Sequence, residues 1–134
     1  MVIMMALTLV NTSILAGDIR MYLDVARFRY DEQQTYVEIY YLLYELPEEN
    51  MPPKEDVWLQ FQLWDDEKQA MLTTSDLKVT MDHTRTTAAA DSEAFVKGSV
   101  IKTVLQPGKY RIKMFRLAEA GGAAVDSVDY TFAT

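Results

Sequence analysis

The sequence predicts an all-β protein, an immunoglobulin-like or fibronectin-III-like antiparallel Greek-key sandwich of seven to eight strands. Three observations carry this. Apolar residues alternate with polar ones over short segments set apart by turn signals, as half-buried strands require. No segment sustains a helical period. Leu105-Gln106-Pro107-Gly108-Lys109-Tyr110 has the pattern of a tyrosine corner, in which a Tyr opening a late strand hydrogen-bonds back across a Greek-key crossing. A small antiparallel barrel shares the first two features and is the alternative architecture.

The first strand is expected over Arg20–Tyr30, where Met21, Leu23 and Val25 are followed out of phase by Phe28 and Tyr30, a shift read as a bulge near Ala26-Arg27. Asp31-Glu32-Gln33-Gln34 is a polar turn. Thr35–Leu46 is the clearest strand: Val37, Ile39, Tyr41 and Leu43 share one face, Tyr36, Glu38, Tyr40, Leu42 and Tyr44 the other. Three prolines and several acids make 47–56 a loop. Val57–Asp65 follows, with Val57, Leu59, Phe61 and Leu63 opposite Trp58, Gln60, Gln62 and Trp64. Asp65-Asp66-Glu67-Lys68 turns the chain into two short strands, Ala70–Leu72 and Leu77–Met81. Asp82–Ser92 reads as a long polar loop with a helical turn at Thr87–Asp91. Phe95–Leu105, interrupted at Gly98, precedes the corner; Tyr110–Leu117 and Ala124–Phe132 complete the sheets, with a turn at Ala120-Gly121-Gly122. Pro107 and Gly108 form the corner's turn, Tyr110 is its latch, and Ile112 and Met114 share its face. Arg20–Tyr30 and Ala124–Phe132 are the expected edge strands, open to a partner strand.

At 134 residues the chain fits one domain and can bury a self-sufficient core. Its net charge of −7 repels phosphate backbones and anionic membrane surfaces, so nucleic acid is excluded as a partner. The absence of cysteine removes disulfides, thiol catalysis and cysteine-based zinc sites. Residues 1–17, apolar and ending Leu15-Ala16-Gly17, resemble a secretory signal without a basic n-region, leaving 18–134 as the sandwich domain. A buried first strand at Met4–Val10 is the competing reading. The run is too short to span a bilayer, which takes about 20 residues.

Catalytic constellations are missing. His83 is the only histidine and falls in the polar loop, read as an ordinary loop residue without metal-binding or nucleophilic partners. No catalytic, metal or cofactor residues are assigned. Asp65-Asp66-Glu67 lacks the acid spacing and glycine of a calcium loop and reads as a solvated turn. Glu45, Glu48, Glu49, Glu55 and Asp56 read as solubilising charge around the proline loop. A carboxylate-based hydrolase would need an acid pair that does not stand out. The site candidate is aromatic: Tyr36, Tyr40, Tyr44, Trp58 and Trp64 all oppose core positions, and on one exposed sheet they would stack on sugar rings or anchor a protein partner. Packing of these side chains in the core or against a neighbouring domain is the competing reading.

The run Phe28-Arg29-Tyr30, a polar turn, then Tyr36-Val37-Glu38-Ile39-Tyr40-Tyr41 resembles the β-sandwich portion of GWxTD-domain proteins, which are bacterial exported proteins. The resemblance continues through Val57–Asp65 and the Leu-x-Pro-Gly-x-Tyr segment, and covers most of the chain after residue 20. The Gly-Trp-x-Thr-Asp motif that names the family is absent, so the resemblance is to the sandwich alone, and it supplies no catalytic residues. It implies an envelope protein acting by interaction. The expectation is therefore an exported, periplasmic or extracellular, non-enzymatic binding or assembly module with another envelope or secreted protein as its partner and no cofactor. A carbohydrate-binding module using the Tyr/Trp face is the alternative.

Overall fold

The computed structural model describes residues 19–84 and 94–134. The signal segment 1–17 and the helical turn at 87–91 lie outside the described residues. Seven strands are described: β1 (Ile19–Arg29), β2 (Thr35–Glu45), β3 (Lys54–Asp65), β4 (Ala70–Asp82), β5 (Phe95–Leu105), β6 (Lys109–Leu117) and β7 (Ala124–Ala133). They form a three-stranded sheet in the order β1-β2-β5 and a four-stranded sheet in the order β4-β3-β6-β7, every pairing antiparallel. The chain changes sheet between β2 and β3, β4 and β5, and β5 and β6. This is the Greek-key sandwich that the strand pattern calls for.

Alternation decides which side chains meet between the sheets. Val37, Ile39 and Leu43 on β2, Val57, Leu59, Phe61 and Leu63 on β3, and Tyr110, Ile112 and Met114 on β6 are all buried in one core cluster. Met21, Leu23 and Val25 pack against it from β1. β1 and β7 are edge strands, as expected, and the guanidinium of Arg27 on β1 donates to the carbonyl of Ala133 on β7 at 2.8 Å, joining the sheets along one side.

The corner between β5 and β6 is built as its sequence implies. The Tyr110 hydroxyl donates to the carbonyl of Gln106, four residues upstream, at 2.7 Å, while its ring is buried and stacks on Phe132. The same carbonyl accepts from the Thr134 hydroxyl at 2.9 Å, and the Thr134 amide donates to the Gly108 carbonyl. The latch thus ties the crossing to the end of β7. Tyr110→Phe is expected to cost about 1 kcal/mol, a loss limited because Thr134 still satisfies the Gln106 carbonyl. It should lower the melting temperature by a few degrees; unchanged melting would show that the latch contributes nothing.

Four local expectations are corrected. β1 and β2 keep register through Ala26↔Glu38 and Arg27↔Val37, so there is no bulge there; Phe28 lies out of phase because it belongs to the outer face, where it meets Tyr36. β5 is unbroken at Gly98. β4 is one strand, because its polar middle, Thr73–Asp76, is held by pairing with β3 and not by burial. β3 starts at Lys54, three residues into the expected loop, because Lys54, Glu55 and Asp56 pair with Asp82, Met81 and Thr80. No helix among the described residues is long and apolar enough to cross a membrane.

Candidate functional site

The five aromatic residues expected on one face are divided between two. Tyr36, Tyr40 and Tyr44 lie on the outer face of the three-stranded sheet; Trp58 and Trp64 lie on the outer face of the four-stranded sheet. Alternation along each strand was enough to place them outward, but sheet membership separates them by the thickness of the core.

The tryptophans are partly covered by their own neighbours. The Lys113 ammonium sits 4.8 Å from the Trp64 ring centroid, and Lys78 lies 5.8 Å from that of Trp58. The Trp64 indole donates to Gln62, whose amide donates to Gln60, a ladder that runs along β3. This face satisfies itself.

The tyrosine face is different. Tyr22 on β1 and Tyr40 on β2 are 50% and 43% exposed, and Val96 on β5 is 54% exposed. Phe28 and Val104 are exposed beside Tyr36. Cross-strand rows place Tyr22, Leu42 and Gly98 side by side, and next to them Asp24, Tyr40 and Val100. Gly98 has no side chain to fill its place in the row, and a Cβ there would come within 3.1 Å of the Tyr41 carbonyl and 3.3 Å of Leu42. The result is a mainly apolar groove of about 500 Å³ rimmed by Tyr22 and Tyr40. Glu38 holds the tyrosines in place, accepting from the Tyr36 hydroxyl at 2.9 Å and from that of Tyr40. Those bonds stabilise its carboxylate, Tyr40's first and Tyr36's second, and hold Glu38 below its ordinary pKa.

A second cluster overturns the reading of His83 and its glutamates. His83 is 9% exposed and Glu45 only 1%, so neither is a solvated loop or surface residue. The cause is strand parity. Glu45 continues the inward series of Val37, Ile39 and Leu43; Glu55 begins that of Val57, Leu59 and Phe61; His83 follows Val79 and Met81; Arg116 follows Ile112 and Met114. All four side chains therefore meet at one end of the core. His83 Nε2 lies 2.7 Å from Glu45 Oε1 and 3.9 Å from Glu55 Oε1, and Nδ1 lies 2.6 Å from the Pro52 carbonyl. A carbonyl only accepts, so Nδ1 carries a proton. The Phe95 ring meets the imidazole edge-on at 4.8 Å. Among the described residues, Glu45 Oε2 and Arg116 Nε have no hydrogen-bond partner. By contrast, Asp65 and Asp66 form the turn expected of them: Asp65 accepts from the amides of Glu67 and Lys68, and Asp66 pairs with Arg111 at 3.0 Å.

Burial acts to lower the His83 pKa, but the hydrogen bonds to Glu45 and Pro52 and the two nearby carboxylates outweigh it, and the net shift is upward. Glu55 is raised by burial and by the neighbouring Glu45 carboxylate. Both groups hold protons more tightly in the folded state than in the unfolded chain. The His83 contribution is complete below the unfolded imidazole value of about 6.5 and is lost as pH rises through the folded value. In the presence of a chelator, the melting temperature is expected to fall from pH 6 to pH 9, and His83→Gln to flatten that fall. A melting temperature that rises over this range would contradict the assignment.

Comparison with known proteins adds the fold and little else. No family model matches the chain, and no curated protein matches it. Among solved structures, a β-glucuronidase of Bacteroides uniformis superposes with a TM-score of 0.57 at 13% identity, over 83% of this chain and 13% of that one. A glycosyl hydrolase family 2 member from Bacteroides cellulosilyticus gives 0.54 at 15% identity, over 83% and 14%. The chain shares their sandwich fold. It spans about one-seventh of the length of these enzymes, and identity this low carries no residue roles across.

Proposed function

We propose that this chain is a non-catalytic β-sandwich module of an exported bacterial protein, and that it works by binding a protein partner through the outer face of the three-stranded sheet. The observation that carries the reading is the concentration of exposed aromatic and aliphatic side chains there: Tyr22, Phe28, Tyr40, Val96 and Val104. A patch of that kind on one sheet marks an interaction site, and tyrosine is favoured at the energetic centres of interfaces. The tyrosines held by Glu38 lose little further freedom on binding. The resemblance to the sandwich of exported GWxTD-domain proteins, and the signal-like residues 1–17, support the exported setting.

Gel filtration of extracts from producing cells tests the reading. The wild type is expected to elute above its monomer mass, and a Tyr22→Ser/Tyr40→Ser variant as a folded monomer. A wild type that elutes as a monomer, or a variant that elutes unchanged, would sink it.

Carbohydrate binding is the second reading. The groove between Tyr22 and Tyr40, with Asp24 beside it, supports it, as does the likeness to a portion of glycoside hydrolases. Affinity electrophoresis through a panel of soluble polysaccharides separates the two: retardation abolished by the double Tyr variant favours sugar, and no retardation on any of them favours protein.

A further inference from the structure

We infer that Glu45, Glu55 and His83 form a binding site for a divalent transition ion, with Zn²⁺ the best chemical match. The three side chains come from the end of β2, the start of β3 and the turn after β4, and one ligand atom from each lies within 4.8 Å of the others. Ligand atoms about 2.1 Å from a tetrahedral zinc stand about 3.4 Å apart. The separations of 2.7 Å and 3.9 Å from Nε2 bracket that spacing, so small side-chain movements complete the site.

Two further features point to an ion. The Pro52 carbonyl accepts a hydrogen bond from Nδ1–H, which turns Nε2 toward the carboxylates. Ligating histidines are characteristically fixed by such an outer hydrogen bond. In addition, Glu45 Oε2, on a side chain 1% exposed, is buried in the cluster with no hydrogen-bond partner. A buried carboxylate oxygen left unpaired is costly, and a cation relieves it.

Charge and ligand type narrow the identity. Two carboxylates and the Arg116 guanidinium beside Glu55 leave one net negative charge when the imidazole is neutral, which favours a bound cation. The guanidinium also opposes it and keeps binding moderate. An imidazole with two carboxylates suits zinc, cobalt or nickel; calcium and magnesium prefer all-oxygen sites. Glu55 is the most accessible ligand, its side chain 24% exposed, and gives the ion its way in. A bound ion would clamp three segments at one end of the sandwich.

Cobalt titration of the chelator-treated chain is the test, because the visible absorption of Co²⁺ reports its coordination. One equivalent is expected to produce the intense bands of a low-symmetry, four- or five-coordinate site, abolished by Zn²⁺, and Zn²⁺ is expected to raise the melting temperature where Ca²⁺ and Mg²⁺ do not. Glu55→Gln, at the more accessible edge of the cluster, should keep the fold and weaken Co²⁺ binding by about tenfold or more. His83→Gln should abolish it; if that variant does not fold, the wild type and Glu55→Gln decide. No cobalt spectrum in the wild type, or a spectrum and affinity unchanged in Glu55→Gln, would overturn the proposal.

Discussion

Glu45→Ala is expected to destabilise the sandwich by about 3–5 kcal/mol, the range for removing one partner of a buried charged pair. Glu45 is as buried as the core valines, and its carboxylate faces His83 at 2.7 Å. Alanine would leave the imidazole Nε2 with only the more distant, partly exposed Glu55 carboxylate, and would open a cavity beside Phe95. For a domain of this size, the loss corresponds to a fall in melting temperature of about 10 °C or more. Glu48→Ala, in the exposed proline loop, should stay within about 0.5 kcal/mol. Thermal denaturation of both variants checks the contrast. Equal, small effects would mean that Glu45 is solvated in solution.

The second large effect lies at the centre of the core. Phe61 is 2% exposed, between Leu59 and Leu63 on the inner face of β3 and opposite Met114 on β6. Phe61→Ala should cost about 3–5 kcal/mol from lost transfer energy and the cavity left behind. Gln62→Ala, one position on and facing outward, should cost about 1 kcal/mol, from its partly exposed bonds to Gln60 and Trp64. Urea denaturation of the two variants reports the difference, and comparable losses would mean that the inner and outer faces of β3 are wrongly assigned.

These contrasts depend on alternation, and alternation is what the sequence displays most clearly. The series of Val37, Ile39 and Leu43 and that of Val57, Leu59, Phe61 and Leu63 assign the inner faces of two central strands without reference to coordinates. Pro107-Gly108 followed by Tyr110 locates the crossing because a tyrosine corner is local, its donor and acceptor four residues apart. What stayed hidden depends on distant pairings. Phase alone cannot tell which sheet carries Trp58 and which carries Tyr40. The polar run Thr73–Asp76 has no apolar period because its order comes from an edge pairing with β3.

The buried cluster is the feature least legible in the sequence, although a signal for it exists. Glu45, Glu55, His83 and Arg116 each fall on the inward parity of a strand. Charged residues on a buried phase demand partners. Read one strand at a time, each looks like a solvated strand end. They become a cluster only when register brings together residues that are 38 positions apart in the case of His83 and Glu45.

The aromatic outer face of the three-stranded sheet is the centre of the functional account, and site-specific photo-cross-linking tests it most directly. A photoreactive amino acid replaces Leu42, at the floor of the groove, or Gln62, on the outer face of the other sheet, and the chain is irradiated in the cells that make it. A discrete cross-linked partner is expected from position 42 and none from position 62. Cross-linking from position 62 alone, or the same products from both, would contradict it.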